Sequence, residues 1–437
     1  MDIKTITIIA LLLLGASVVT QAATLSLVYS GNLDGELEPC GCSEQGDLGG
    51  IKRRVTLLDE LRKKNKNLIA ISSGGLIKAE GSADRIKSDF ILQGFKAFNY
   101  DAIAVQWPDL VYGEQYISAQ ALPWVVTNWQ AKPEKNGIRK FIEITRRLQD
   151  ESVVIEFFAW LDPKASPLRS MQGDHKLVNT DRNFLSERVQ SAKSKQHYTI
   201  VSTGLAFEQL QTTLPLKWID IVIMESAYEE FSEPKKIANT IILQPGSRGM
   251  RIAKIELQIQ QGKILKWQHE VLAMPESTED SPRMLAWYAE YNAAVKKDYL
   301  RLSEVKKLQA SGESPFAGEE ACETCHASQY ARWQSSDHAD AFDDLELVGK
   351  SYDPACLQCH TVGFDKKGGF IDFAVTGDLM GVQCESCHGA ARSHVTSGGK
   401  TAVSNKAWSK QKICNQCHTQ PHSPGFSIKQ YWPKIAH

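Results

Sequence analysis

The sequence predicts two unlike folded parts, an α/β layered domain followed by a C-terminal domain that is mostly helical or irregular. The first observation is that strand-like and helical runs alternate over residues 24–267. The second is a polar break after Pro275, followed by one long amphipathic run. The third is that residues 316–437 hold few periodic segments and repeat one cysteine and histidine motif.

Composition and charge are those of an ordinary globular protein. The chain has 437 residues, of which 42% are apolar and 23% charged, and its formal net charge is −1. We therefore expect two or three domains. Neither nucleic acid nor an acidic membrane surface is expected as a partner, because both would require a basic excess.

The first residues have the pattern of an export signal. Lys4 precedes an apolar run over residues 6–19, and Thr20, Ala22 and Ala23 are small residues suited to cleavage. The apolar run is too short to be interpreted first as a spanning helix. We therefore predict a signal peptide over residues 1–23 and a periplasmic or extracellular location, with membrane attachment only if the segment is retained.

Residues 24–275 form the predicted α/β domain. Helical periodicity appears over residues 51–61 and 86–98, and a hairpin is predicted over residues 251–259 and 264–272 across Gln261 and Gly262. Strands are predicted at residues 25–29, 68–71, 102–105, 124–126, 153–158, 199–201, 219–223 and 241–243. A helical linker is predicted over residues 276–315. Its helix begins at Met284 and ends before a stretch rich in serine and glycine.

Four copies of the motif C-x-x-C-H occupy the predicted C-terminal domain. They are Cys322, Cys325 and His326; Cys356, Cys359 and His360; Cys384, Cys387 and His388; and Cys414, Cys417 and His418. This spacing lets two thiols bond the vinyl groups of a haem while the histidine binds its iron. Paired cysteines can also bind zinc, but zinc does not require a histidine after each pair. We therefore predict four covalently bound haem c groups, with His326, His360, His388 and His418 as proximal ligands.

The opposite faces of the four irons have few candidate ligands. His338 is predicted on a helix after the first motif, and His394 follows His388 too closely to reach the far side of its own haem. His437 ends the chain behind three residues, Tyr431, Trp432 and Pro433, that can hold it against a flat group. His422, four residues after His418, is the weakest candidate, and Met380 is a substitute. We expect one five-coordinate haem; the alternative is four haems that each have two histidine ligands.

Residues 316–437 resemble the tetrahaem c-type cytochromes that carry electrons in ammonia oxidisers, and their multihaem relatives. The resemblance rests on the segments around the first and third motifs and on a closing Lys-Ile-x-His. It implies that His338, His394 and His437 are distal ligands. It also implies that one haem can be five-coordinate.

The front domain resembles the 5′-nucleotidase branch of the metallophosphoesterases. The resemblance, which covers roughly residues 25–272, lies in the segments 27–54 and 244–249, and it implies an αββα fold. The metal-binding motifs of that family are altered. Asn32 and Asp34 replace its first Asp and His, Gly75 replaces the bridging aspartate, and the segments 106–109 and 224–227 lack its histidines. Phosphatase activity is therefore not expected.

Cys40 and Cys42 form a C-x-C pair in a loop rich in glycine and proline. A disulfide between them would be strained and readily reduced, so one interpretation is a thiol relay or a soft-metal site next to the haems. The other interpretation is a loop staple.

The function that these patterns favour is electron carriage between a respiratory donor and a terminal acceptor or reductase, with unidentified redox proteins as partners. The alternative is a haem oxidoreductase acting on a small nitrogen, sulfur or oxyanion substrate at a five-coordinate haem. For that site Arg332, Arg392 and His422 are the candidate polar residues. The front domain can also act as a docking module.

Overall fold

A computed structural model describes residues 22–40, 47–79, 84–130, 137–148, 151–167, 178–225, 231–419, 422–423 and 425–437. The predicted signal peptide lies outside these residues except for its last two positions. Cys42 lies outside them as well, and Cys40 is described by its backbone only. In the described part of the chain, no helix is both long enough and apolar enough to cross a membrane.

The front domain is built from strands and helices in alternation. Their bounds are β1 (Ala23–Ser30), β2 (Pro39–Cys40), β3 (Leu48–Gly49), α1 (Ile51–Lys64), β4 (Ile69–Ser72), α2 (Asp84–Phe98), β5 (Ala102–Ala104), α3 (Glu114–Ser118), β6 (Trp124–Val125), β7 (Phe141–Leu148), β8 (Glu151–Trp160), α4 (Asn183–Ser194), β9 (Tyr198–Thr203), α5 (Leu210–Thr213), β10 (Ile221–Met224), β11 (Phe231–Ile237), β12 (Thr240–Pro245), β13 (Arg251–Gln260) and β14 (Lys263–Ala273).

Two six-stranded sheets pack against each other in this domain. One has the order β14-β13-β1-β4-β5-β6 and the other the order β11-β12-β10-β9-β8-β7. Alternate side chains of the strands, such as Leu27, Ile71 and Phe157, form the buried core between the sheets. Helices α1 and α2 cover the outer face of the first sheet, and α4 covers that of the second. The predicted αββα layering is therefore confirmed.

Most of the predicted elements are present, and the hairpin is formed by β13 and β14 with Gln261 and Gly262 at positive φ between them. The two-residue strands β2 and β3 were not predicted, and neither were the longer strands β7 and β11. Both are antiparallel edge strands of the second sheet, and alternation of polar and apolar residues along β7 makes its hydrophobic signal weak.

The remaining elements are helices. They are α6 (Leu285–Gln309), α7 (Glu320–Glu323), α8 (Ala327–Gln334), α9 (Asp343–Leu347), α10 (Pro354–His360), α11 (Cys384–His388), α12 (Arg392–Thr396), α13 (Lys410–Cys414) and α14 (Ile428–Ile435).

Helix α6 joins the two domains by packing against both. In its first half, the Trp287 indole donates a hydrogen bond to the carbonyl of Phe90 in α2 at 3.1 Å, and Tyr291 is buried in the front-domain core. In its second half, Tyr299 lies in the core of the C-terminal domain and donates to the carbonyl of Ile371 at 2.6 Å. One rigid helix therefore fixes the position of the C-terminal domain relative to the front domain.

A buried carboxylate holds the C-terminal domain together where side-chain packing is sparse. Glu385, inside the third motif, accepts backbone N–H bonds from Ala317, Gly318 and Ala391 at 2.7–3.1 Å. Bonds to a charged acceptor are among the stronger ones in proteins. They tie the entry of the domain to the third motif.

Candidate haem sites

Short helices arrange the residues of the haem motifs. In α11, Cys384, Cys387 and His388 are three and four residues apart, so all three project from one side of the helix. Helix α10 presents the second motif in the same way, since it also runs through to its histidine. The local fold therefore gives each of these motifs the face that haem attachment requires.

The C-terminal domain pairs three of the four motif histidines with a second histidine. The ring centroids are 6.2 Å apart for His326 and His394, 6.1 Å for His338 and His418, and 5.8 Å for His388 and His437. An imidazole nitrogen binds a metal ion at about 2 Å, so two imidazoles on opposite sides of one ion have centroids roughly 6 Å apart. The three pairs therefore fit three six-coordinate haem irons.

Hydrogen bonds fix which ring nitrogen is available to a metal ion. The Nδ1 atoms contact backbone carbonyls in three cases: His360 with Ala341, His394 with Thr401 at 2.7 Å, and His437 with Ile435 at 3.1 Å. A carbonyl only accepts, so Nδ1 carries the proton and Nε2 keeps its lone pair. Burial also lowers the pKa of His338, His388 and His418, which favours the neutral imidazole that binds metal ions.

The four motifs form one connected series. Cys322 and Cys384 are within hydrogen-bonding contact, which brings the first motif beside the third. Cys359 and Cys417 make the same contact between the second motif and the fourth. Cys387 interacts electrostatically with Cys414, which joins the third motif to the fourth. The spatial order is first, third, fourth, second.

A large cavity lies between the first and third motifs. Its volume is about 710 Å³, and its lining includes both cysteines and the histidine of each motif, together with His394 and His437. The remaining lining is largely apolar, with Trp333, Val382 and Ile435 among it. The Trp333 indole donates to the carbonyl of Val382 at 2.8 Å, so the apolar wall is held by a hydrogen bond. This space fits flat apolar groups such as porphyrins.

The sequence predicts that His338 lies on a helix, and this prediction is wrong. Helix α8 ends at Gln334, and His338 lies in the turn that follows. The hydroxyls of Ser335 and Ser336 donate to the carbonyls of Arg332 and Trp333, at 3.0 and 2.6 Å, and such local bonds compete with helix continuation. With this turn, the imidazole of His338 lies beside the imidazole of His418 in the fourth motif.

The polar residues predicted around an open iron have other roles. Arg332 donates to the carbonyl of Pro433 at 2.6 Å. Arg392 donates to the carbonyls of Ser314 and Phe316 at 2.5 and 2.6 Å. Both guanidinium groups therefore hold backbone segments together. Met380 packs against the hydrophobic core of the C-terminal domain.

At the edge of the front domain where the resemblance places the metal site, Gly75 is tightly packed. Gly75, at the position of the bridging aspartate, has φ +63°, and a Cβ there would lie 2.7 Å from Cβ of Asn32 and 2.8 Å from Oε1 of Gln106. The neighbouring Asp109 carboxylate accepts the N–H groups of Gly75, Leu76 and Gln106 at 2.6–2.9 Å. Gly75 therefore leaves no room for a side chain, and backbone N–H groups already bind the Asp109 carboxylate.

The acidic residues at this edge, Asp34, Asp109 and Glu225, do not form a group with metal-ligand spacing. Burial, and then the charges of Asp34 and Asp109, raise the pKa of Glu225 to about 7, and burial raises that of Asp109 to about 6. Among the described residues, the one cluster with metal-ligand spacing is Glu143, Glu156 and His197, away from this edge. Arg188 donates to both of those carboxylates, which makes the cluster an ion-pair network.

Comparison with known proteins identifies the C-terminal domain. Residues 321–389 match the family model for cytochrome c554 and c-prime. The C-terminal domain is similar to the c-type cytochromes of this family. A curated relative, cytochrome c-554 of Nitrosomonas europaea, is 30% identical over 139 residues, which cover 25% of this chain and 59% of that protein. Covalently bound haem c is therefore the cofactor of this domain.

The front domain is similar to solved metallophosphoesterase structures. A 5′-nucleotidase precursor from Thermus thermophilus is 17% identical with a TM-score of 0.52, covering 62% of this chain and 59% of that one. The sulfate thiohydrolase SoxB of Thermus thermophilus is 12% identical with a TM-score of 0.52, covering 63% and 61%. The chain thus spans about three fifths of each relative, and the likeness shows the 5′-nucleotidase fold alone.

Proposed function

We propose that this chain is an exported electron carrier that holds four haem c groups and passes electrons between a respiratory donor and a terminal acceptor or reductase. The observation that carries the proposal is the closeness of the four motifs, with the first beside the third, the second beside the fourth, and the third near enough to the fourth for their cysteines to interact electrostatically. Bound haem c supplies a one-electron redox centre at each motif. The chain contributes the ligands, their burial and the close spacing. A periplasmic or extracellular location completes the proposal.

The axial ligands follow from the histidine pairs. We assign His394 opposite His326, His338 opposite His418 and His437 opposite His388, at the separations given above. Among the described residues, no histidine ring lies at that separation from His360. We therefore expect three six-coordinate haems and one five-coordinate haem, held by His360.

We expect four covalently bound haems per chain, because each motif has both cysteines and its histidine. A pyridine haemochrome assay against protein concentration measures this number. The variant Cys387→Ser keeps Cys384, so we expect it to retain four haems, one of them with a single thioether and a shifted absorption band. Two or three haems in the unmodified protein, or bound zinc, would contradict the assignment.

Six exposed lysines follow the third motif in the sequence. They occur over residues 395–437 without any Asp, Glu or Arg, and all six are exposed: Lys400, Lys406, Lys410, Lys412, Lys429 and Lys434. Among the described residues none of them forms an ion pair. Helix α13 carries Lys410 and Lys412 into the fourth motif, and α14 carries Lys429 and Lys434 toward His437. We propose that an acidic redox protein docks here, next to the third and fourth haems.

The lysine surface can be tested with small redox reagents of opposite charge. At low salt we expect the reduced protein to transfer electrons to anionic ferricyanide faster than to a cationic ruthenium ammine of matched driving force. The triple variant Lys410→Glu, Lys412→Glu, Lys429→Glu should shift the ratio of the two rates by at least about tenfold toward the cation, with the effect lost at high salt. Lys297→Glu, on an exposed position of α6, is the control. An unchanged ratio in the triple variant would contradict this exit site.

The second candidate function is a haem oxidoreductase that acts on a small nitrogen, sulfur or oxyanion substrate. It is favoured by one observation, the lack of a histidine partner for His360 among the described residues. A five-coordinate iron has an open face, whereas an iron with two histidine ligands has none.

A further inference from the structure

A buried ion pair joins the front domain to the second haem motif. The ammonium of Lys350, whose side chain is 9% exposed, pairs with the carboxylate of Glu38 in the segment before β2. The same ammonium donates to Oδ1 of Asn292 in α6 at 3.1 Å. Its Nζ also lies 5.0 and 4.9 Å from the ring centroids of Tyr288 and Tyr291. Groups of the front domain and of α6 therefore surround this lysine and withdraw it from water.

Lys350 lies next to the helix that carries the second motif. Its carbonyl accepts the N–H of Asp353, the N-cap residue of α10, at 2.9 Å. The carbonyl of Asp353 accepts in turn the N–H of Cys356 at 2.9 Å, and the ammonium of Lys350 lies 3.8 Å from the Asp353 carboxylate. Two consecutive backbone hydrogen bonds thus connect Lys350 to the first cysteine of the motif.

The segment 341–350 contacts both ends of α10. At the end where the helix stops, the carbonyl of Ala341 accepts from Nδ1 of His360. Between the two ends, Leu345 lies in the same hydrophobic core as Leu357 of the helix. The front domain is therefore joined, through this segment, to the cysteine end and to the histidine end of the second motif.

The ion pair places two opposite charges beside one redox centre. Reduction of a haem lowers its charge by one, so a nearby cation favours the reduced state and a nearby carboxylate favours the oxidised state. In the intact pair the effects of Lys350 and Glu38 oppose each other. Because the Lys350 ammonium is buried, water screens its effect less than it screens that of an exposed lysine.

We propose that the front domain sets the reduction potential of the second haem through the ion pair of Glu38 with Lys350. The front domain contributes the carboxylate, and the segment that borders α10 contributes the ammonium. This role requires neither metal ions nor phosphatase chemistry. The inference rests on the proposed electron-carrier function, in which the potential of each haem decides the direction of electron flow.

Neutral replacements of the two partners test the pair. Lys350→Met leaves the Glu38 carboxylate alone and should lower the potential of one haem, whereas Glu38→Gln leaves the ammonium and should raise it. Two unit charges about 12 Å apart change an equilibrium constant by about tenfold at an effective dielectric constant of about 20. We therefore expect each shift to be about tenfold in the redox equilibrium constant of that haem, or about 59 mV. Spectroelectrochemical titration of the full chain measures the potentials.

The opposite signs distinguish an electrostatic role from a structural one. Each single replacement leaves a buried charge without its partner and should lower the melting temperature, but only a charge effect moves the potential in opposite directions. The double variant should have a potential between those of the two single variants. Arg301→Gln is the control, because this arginine is 64% exposed and pairs with Asp298, so its loss should leave all potentials unchanged.

The outcomes separate this inference from the function on which it rests. Shifts of the same sign in the two single variants, or unchanged potentials, would show that the pair does not set the potential. Glu38→Gln, at a side chain 25% exposed, tests this independently of Lys350, whose replacement could disturb the packing around α10. If the potentials shift as expected but the reduced haems transfer no electrons to ferricyanide, the carrier function is wrong and the role of the pair stands.

Discussion

Replacement of His437 by alanine is expected to open a second haem. The imidazole of His437 lies 5.8 Å from that of His388 in the third motif, and His437 is the proposed distal ligand of the third haem. Its Nδ1 contacts the carbonyl of Ile435, so Nε2 is the atom that faces the third haem site. No other histidine of the described residues is placed to substitute for it, and the variant should leave the third iron five-coordinate.

The effect on spectra should be large. Electron paramagnetic resonance of the oxidised variant should show the low-spin signal reduced by about one third and a matching gain of high-spin signal. Carbon monoxide should bind two haems per chain where it binds one in the unmodified protein. His437 is exposed, so its replacement by alanine removes little packing.

His422→Ala is the matched control, since it removes an imidazole of the same domain for which no histidine ring lies at ligand distance among the described residues. We expect the same number of haems to bind carbon monoxide as in the unmodified protein. A His437→Ala spectrum that stays low-spin would mean that the third haem has another distal ligand. A gain of high-spin signal in His422→Ala would transfer the ligand role to His422.

The residues that attach haem could be predicted from the sequence, because the residues of each motif lie within five consecutive positions. The motif at Cys384, Cys387 and His388 lies within one turn of helix, so spacing alone indicates its geometry. Distal pairing is different, because it depends on how the four motifs pack. His338 and His418 are 80 positions apart in the chain, and only the turn after α8 brings them together.

The strands of the front domain could be predicted well, since β4 and β10 are short, fully buried runs.

Replacement of Gly75 by aspartate would restore the residue type that bridges two metal ions in active family members. We expect it to destabilise the front domain instead. Gly75 has φ +63°, and a side chain there would meet Asn32 and Gln106 at 2.7 and 2.8 Å. The left-handed backbone costs about 1–2 kcal/mol and the overpacking about 1–3 kcal/mol, so we expect a loss of roughly 2–5 kcal/mol in the free energy of unfolding.

Urea unfolding followed by the far-ultraviolet circular dichroism of the sheets measures this loss. Gly312→Asp is the control, because Gly312 has φ +83° with open space around it. This substitution should therefore cost only the backbone term of about 1–2 kcal/mol, without overpacking. We also expect no hydrolysis of an aryl phosphate in manganese by either variant or by the unmodified protein, because Asp34, Asp109 and Glu225 do not converge. Wild-type stability in Gly75→Asp, or manganese-dependent hydrolysis, would show that the edge can still open to admit metal ions.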